Sequence, residues 1–122
     1  MLNKLAMIFG VILTAVGILG FFPLFAPEGY LLGLFHVNTA HNLVHLLTGI
    51  AAILCSVNSS CASRLFFQIF GVVYGLVALL GLYYQDAPIF GIIANNMHDI
   101  WLHLLIAAAS LYLGFFYRQN SP

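Results

Sequence analysis

The sequence predicts an all-α membrane protein, a four-transmembrane-helix bundle built from two parallel two-helix repeats. Three observations predict it. The 122 residues carry only three basic and three acidic side chains and are 63% hydrophobic, too few charges for the surface of a soluble domain. The apolar residues run in four stretches, each near the ~20 residues that cross a ~30 Å hydrocarbon core as a helix. Finally, the chain repeats itself at a nearly constant offset.

The spans are expected at 4–22, 38–55, 65–84 and 96–117, within a single membrane domain covering 1–122. The first follows Lys4, like a signal peptide, but Leu24-Phe25-Ala26-Pro27 lacks the small residues of a cleavage site, so the span is retained. The second and fourth open on Asn38 and Asn96, short polar residues before long apolar runs, and read as helix N-caps. Arg64 precedes the third. Tyr117-Arg118 and the polar tail 119–122 read as an interfacial stop after the fourth. The runs are continuous rather than alternating, which excludes a barrel and leaves helices as the viable spans. Ala26-Pro27 and Ala87-Pro88 mark loops. Trp101, Tyr30, Tyr83 and Tyr84 fall near one boundary and Tyr112 and Tyr117 near the other, as aromatic belts do.

Ile8-Phe9-Gly10-Val11 returns as Ile69-Phe70-Gly71-Val72, Leu19-Gly20 as Leu80-Gly81, and Ala26-Pro27 as Ala87-Pro88, all at an offset of 61. Past the loop the offset is 58: Gly33 matches Gly91, Asn38 matches Asn96, and His45-Leu46-Leu47 matches His103-Leu104-Leu105. A first loop three residues longer accounts for the change. The units, about 4–55 and 65–117, each hold two spans, so they share one orientation and relate by a pseudo-two-fold axis along the membrane normal.

Charge orients the bundle. Lys4, Arg64 and Arg118 fall on one side, which the positive-inside bias makes cytoplasmic together with both termini. Glu28, Asp86 and Asp99 fall on the other, as do all five histidines, His36, His41, His45, His98 and His103. Cys55 and Cys61 lie at the cytoplasmic end, fit no Cys-x-x-Cys or zinc-knuckle spacing, and read as small apolar residues. The neutral balance argues against nucleic acid as a partner. The lipid bilayer is the expected partner, and a homo-oligomer stays open.

Two dyads carry the chemistry: His41-x-x-x-His45 and Asp99-x-x-x-His103. Residues four apart share a helix face, and ionisable groups at membrane depth are costly enough to point to function. The repeat sets His41 against Asp99 and His45 against His103 at matched depth. If the second and fourth helices meet near the axis, the four side chains converge; Thr48, Gly49, Ala52, Ala107, Ser110 and Gly114 below them favour such a contact. If the first and third helices line the axis, the dyads stay apart. His41 and Asp99 fall at N3, where the positive helix terminus suits neutral imidazole and a carboxylate.

Three imidazoles and a carboxylate suit zinc or divalent copper, so His41, His45, Asp99 and His103 are the candidate ligands. Asn42, Glu28, Asp86, His36 and His98 are candidate orienting partners, with His98 pointing away from the Asp99 face. Three other readings stay open: a metal-free structural or interaction cluster, bis-histidine haem on His45 and His103, and proton or small-solute transfer. An enzyme would leave one coordination position open, and the sequence does not choose between catalysis and handling of the metal.

The stretch from Gly33 to Gly49, with Val37-Asn38-x-x-His41-Asn42-x-x-His45, resembles a family of small bacterial four-span membrane proteins catalogued as a domain of unknown function. Their second motif, Asn-x-x-Asp-Asn-x-x-His, is matched by Asn96, Asp99 and His103, with Ile100 in place of its second Asn. The resemblance implies a four-helix fold in a bacterial inner membrane and assigns no activity.

Overall fold

A computed structural model describes residues 1–118; the expected polar stop at 119–122 lies outside the described residues. Four helices form: α1 (Leu2–Leu19), α2 (Thr39–Asn58), α3 (Ser60–Tyr84) and α4 (Met97–Leu111). All four, counting α4 through Phe116, are long and apolar enough to cross a membrane. The molecule is a helical bundle in which α1 packs chiefly on α2 and α3 on α4, the two hairpins being the two repeats.

Close helix contact rests on missing side chains. A Cβ on Gly49 would sit 2.6 Å from the Thr14 amide nitrogen and 2.8 Å from the Gly10 carbonyl oxygen, so α1 and α2 touch backbone to backbone. Such contacts are how helices associate where lipid removes the usual hydrophobic drive. In the second unit the small residue changes sides: Gly75 stands where Thr14 does, and faces the Ala107 methyl.

The caps form as the sequence implies. Asn38 and Asn96 are extended, and each side chain accepts from the N3 amide, of His41 and of Asp99. Each cap also reaches across the pseudo-axis. Asn38 Nδ2 donates to the Ile92 carbonyl at 2.8 Å and Asn96 Nδ2 to that of Leu34 at 2.9 Å, acceptors themselves 58 apart. The loops match too. Strands Tyr30–Leu31 and Phe35–His36 pair antiparallel around Leu32 and Gly33, and the Ile89–Ile93 bridge closes around Phe90 and Gly91. Both turns need positive φ, 54° and 75° in the first, 53° and 73° in the second, so the glycines recur at the position where side chains are strained.

The fourth span departs from a continuous α-helix. After Leu111 it widens into a π-helical turn, Tyr112–Phe116. Gly114 lies against the Gln68 backbone, and donors from α3 take up the loosened carbonyls: Gln68 Nε2 on Gly114 oxygen at 2.9 Å, and Arg64 Nη1 on Leu113 and Gly114 at 3.3 and 3.2 Å. Arg64 therefore does structural work besides carrying charge.

All four helices reach the axis. Toward the α2–α3 turn the core is Leu2, Ala6, Ala52, Phe66 and Phe67; in the middle it is Leu13, Tyr74, Ile106 and Ala107. Leu13 and Tyr74 occupy equivalent repeat positions. Above them, toward the two long loops, the core turns polar.

Candidate metal centre

His41 and His45 leave α2 on one face, and His103 leaves α4 toward them. All three are 1–3% exposed. One ring nitrogen from each falls within 4.8 Å of the others. The ring centroids are 4.6 Å apart for His41 and His45, 5.4 Å for His41 and His103, and 5.6 Å for His45 and His103. The dyads therefore meet, and through their deeper members: His45 Nε2 and His103 Nε2 are 3.4 Å apart. The α3 helix closes the floor, with the Tyr74 ring 5.6 Å from that of His103 and 6.3 Å from that of His45.

His41 is oriented by backbone. Its Nδ1 donates to the Ala94 carbonyl at 2.8 Å, which fixes the tautomer and leaves Nε2 with its lone pair and without a protein partner. This is the arrangement a metal-binding imidazole ordinarily has, one nitrogen on the ion and the other on a carbonyl. None of the carboxylates weighed for that role takes it: Glu28 and Asp86 are exposed. His36 stacks on Tyr30 at 4.8 Å, His98 lies on the surface edge-on to Phe35, and Asn42 fits against Gly20.

Asp99 goes elsewhere. It is 1% exposed, but Oδ2 accepts from the Asn96 amide at 3.0 Å while Asn96 Oδ1 accepts from the Asp99 amide at 2.9 Å. This is a capping box, and the same carboxyl also meets the backbone of His36. Among the described residues, the cluster with metal-ligand spacing is His41, His45 and His103, without Asp99.

Two contributors were not singled out from the sequence. The Ala94 carbonyl is a main-chain group, and only the repeat, which sets position 94 opposite 36, could have marked it. Asn95 is buried one residue before the α4 cap, where Nδ2 donates to the carbonyls of Gly81 at 3.1 Å and Gln85 at 2.6 Å, anchoring the loop that carries Ala94 to the end of α3.

Three buried imidazoles with facing nitrogens can hold a soft-to-borderline cation or form a neutral hydrogen-bonded cluster. The 3.4 Å pair is one spacing of three, the set as a whole lying within 4.8 Å. Two nitrogens bound to one zinc at about 2.0–2.1 Å with tetrahedral angles sit about 3.3–3.4 Å apart. A well-formed N–H donor bond spans ~2.7–3.2 Å, shorter than the His45–His103 separation.

Residues 3–116 match the family model of the domain of unknown function DUF4383, and the chain belongs to that family. Comparison with curated proteins and with solved structures finds no match.

Proposed function

We propose that this member of the DUF4383 family is an integral membrane protein that binds one zinc or copper(II) ion through His41, His45 and His103. The observation that carries the reading is the 3.4 Å approach of His45 Nε2 to His103 Nε2 beside an oriented His41. The ion lies near the end of the bundle that holds the long loops, facing outward from a bacterial inner membrane. Lys4, Arg64 and Arg118 mark the cytoplasmic side, with the N-terminus and the end of α4.

Asp99, counted with the ligands on spacing alone, is assigned here to the start of α4, because its carboxyl is committed to the cap. The fourth tetrahedral position is then open, which is the condition for exchange or catalysis rather than for a purely structural site. A metal-free cluster is the weaker reading. His41 Nε2 is buried with its lone pair unpartnered, a cost of about 1–3 kcal/mol that an ion bound there would remove. Haem is weaker still, because the His41 ring stands 4.6 Å from His45, where a macrocycle between His45 and His103 would have to pass.

The test is elemental analysis and a visible spectrum of protein purified in detergent, followed by zinc and copper titration at neutral pH. One equivalent of metal is expected. A Soret band would replace this reading with haem, and no metal uptake by the folded protein would end it.

A further inference from the structure

Two of the chain's three basic side chains line one cleft. It opens at the end of the bundle that holds the α2–α3 turn, has a volume of about 500 Å³, and is walled by Arg64, Phe115, Phe116, Tyr117 and Arg118. Glu28, Asp86 and Asp99, the chain's only acidic side chains, stand at the other end, so neither arginine has a carboxylate partner among the described residues. The π-helical turn orients Arg64, whose Nη1 donates to the carbonyls of Leu113 and Gly114. Nη1 lies on the Cδ side of the guanidinium, so the edge not engaged with backbone is the one formed by Nε and Nη2. That edge is the fork that meets a phosphate bidentately. Charge is left over as well: the end of α4 sets about half a negative charge against two guanidinium charges.

We propose that this cleft binds the phosphodiester of an anionic phospholipid, with Arg64 and Arg118 on its oxygens and its acyl chains along the outer face of α4. The walls select a lipid over free phosphate. Phe115 and Phe116, 55% and 74% exposed, close the fourth span, and Tyr112, 55% exposed, continues the aromatic surface one turn further into it. Basic pockets between helices at this level of a membrane are where lipid head groups are held. The two guanidiniums also choose among lipids. An ammonium head group would bring a third cation into the cleft, whereas a glycerol head group brings none. The repeat supplies a control. At the offset of 61 the first unit has Asn3 in place of Arg64, and Asn3 Oδ1 accepts from the Ser63 hydroxyl at 3.2 Å. The cleft beside it has Lys4 as its one cation, a point charge without a fork.

The test is native mass spectrometry of the full chain in detergent, titrated with phosphatidylglycerol or with phosphatidylethanolamine of the same acyl chains. Phosphatidylglycerol is expected to bind ~5-fold more tightly or better, and equally well in phosphate and in chloride of matched ionic strength. Arg118→Gln removes one contact at the end of α4 and should weaken that binding ~5-fold. Arg64→Lys keeps the charge and a donor for the carbonyls but loses the fork, and should weaken it by a similar factor. Lys4→Gln removes the same charge from the same end of the bundle and should leave it unchanged. Circular dichroism on heating shows which variants fold; if Arg64→Lys does not, Arg118→Gln decides. Equal affinity for the two lipids, weaker binding in phosphate than in chloride, an equal loss in Lys4→Gln, or undiminished binding by Arg118→Gln would each overturn the inference.

Discussion

Removing His103 separates one shared site from two independent ones. Its Nε2 comes from the opposite repeat, 58 residues from His45, and lies 3.4 Å from its partner nitrogen. That one spacing is close to the tetrahedral separation, while the three ligand nitrogens as a set lie within 4.8 Å of one another, so the remaining imidazole must close in when an ion binds. Loss of a group that merely orients a ligand costs 10–100-fold in affinity, so loss of a ligand should cost more than ~100-fold. His103→Ala and His45→Ala should therefore each abolish zinc binding at concentrations that saturate the wild type. The double variant should be no worse than either single one, because residues acting as one unit are not additive. Competition against a chelating dye in detergent reads the affinity, and thermal melting without metal shows that the variants fold. Either single variant binding one equivalent within ~10-fold of wild type would refute the shared site.

Three further outcomes follow from named contacts. Asp99→Asn keeps an acceptor for the Asn96 amide and should bind zinc within ~10-fold of wild type, whereas Asp99→Ala should cost about 1 kcal/mol of stability by opening the capping box; a larger loss of zinc in the Asn variant would make Asp99 a ligand. Gly49→Ala puts a methyl 2.6 Å from a backbone nitrogen that no rotamer can clear, so α1 and α2 must separate at a cost of about 1–3 kcal/mol; an unchanged melting temperature would show that the contact is looser than drawn. Asn38→Ala and Asn96→Ala each remove a cap and a bond to the opposite loop, together about 2 kcal/mol, and hydrogen exchange should quicken in both loops for either variant. Exchange confined to the mutated unit would contradict the crossing.

What the sequence could show depended on whether the deciding contact was local or repeated. Asn38 and Asn96 were legible as caps because a short polar residue before an apolar run has few other uses. The matched depth of His45 and His103 was legible from the repeat, but their meeting was not: Gly49 packs on α1 and Gly114 on α3, so the small residues below the dyads serve contacts within each hairpin rather than a contact of α2 with α4. Nor was the fate of Asp99. Spacing puts it on the face of His103, yet position N3 also puts it beside the free amide of its own cap, and the local bond prevails. The widened turn after Leu111 was hidden too, since it answers Arg64 and Gln68 on another helix.

The repeat supplies the two-fold frame, and its broken positions turn that frame into one site. A perfect copy would place a histidine at position 99 and a fourth imidazole at equal depth. Instead the two members of that pair serve the loops differently. His41 presents an N–H and meets a carbonyl, that of Ala94; Asp99 presents acceptors and meets the amide of Asn96 and the backbone of His36. Position 36 is the repeat mate of 94, and the bond of His41 to Ala94 joins the first unit to the second. The consequence is chemical. The His41 proton is held away from the cluster and its lone pair is left toward it, whereas the carboxylate is spent on backbone. Tyr74, where the first unit has Leu13, closes the floor from α3, and Leu13 joins it from α1 in the apolar layer beneath. The cluster is thus drawn from α2 and α4 and floored by α3, with the repeat kept in its depth and broken in its chemistry.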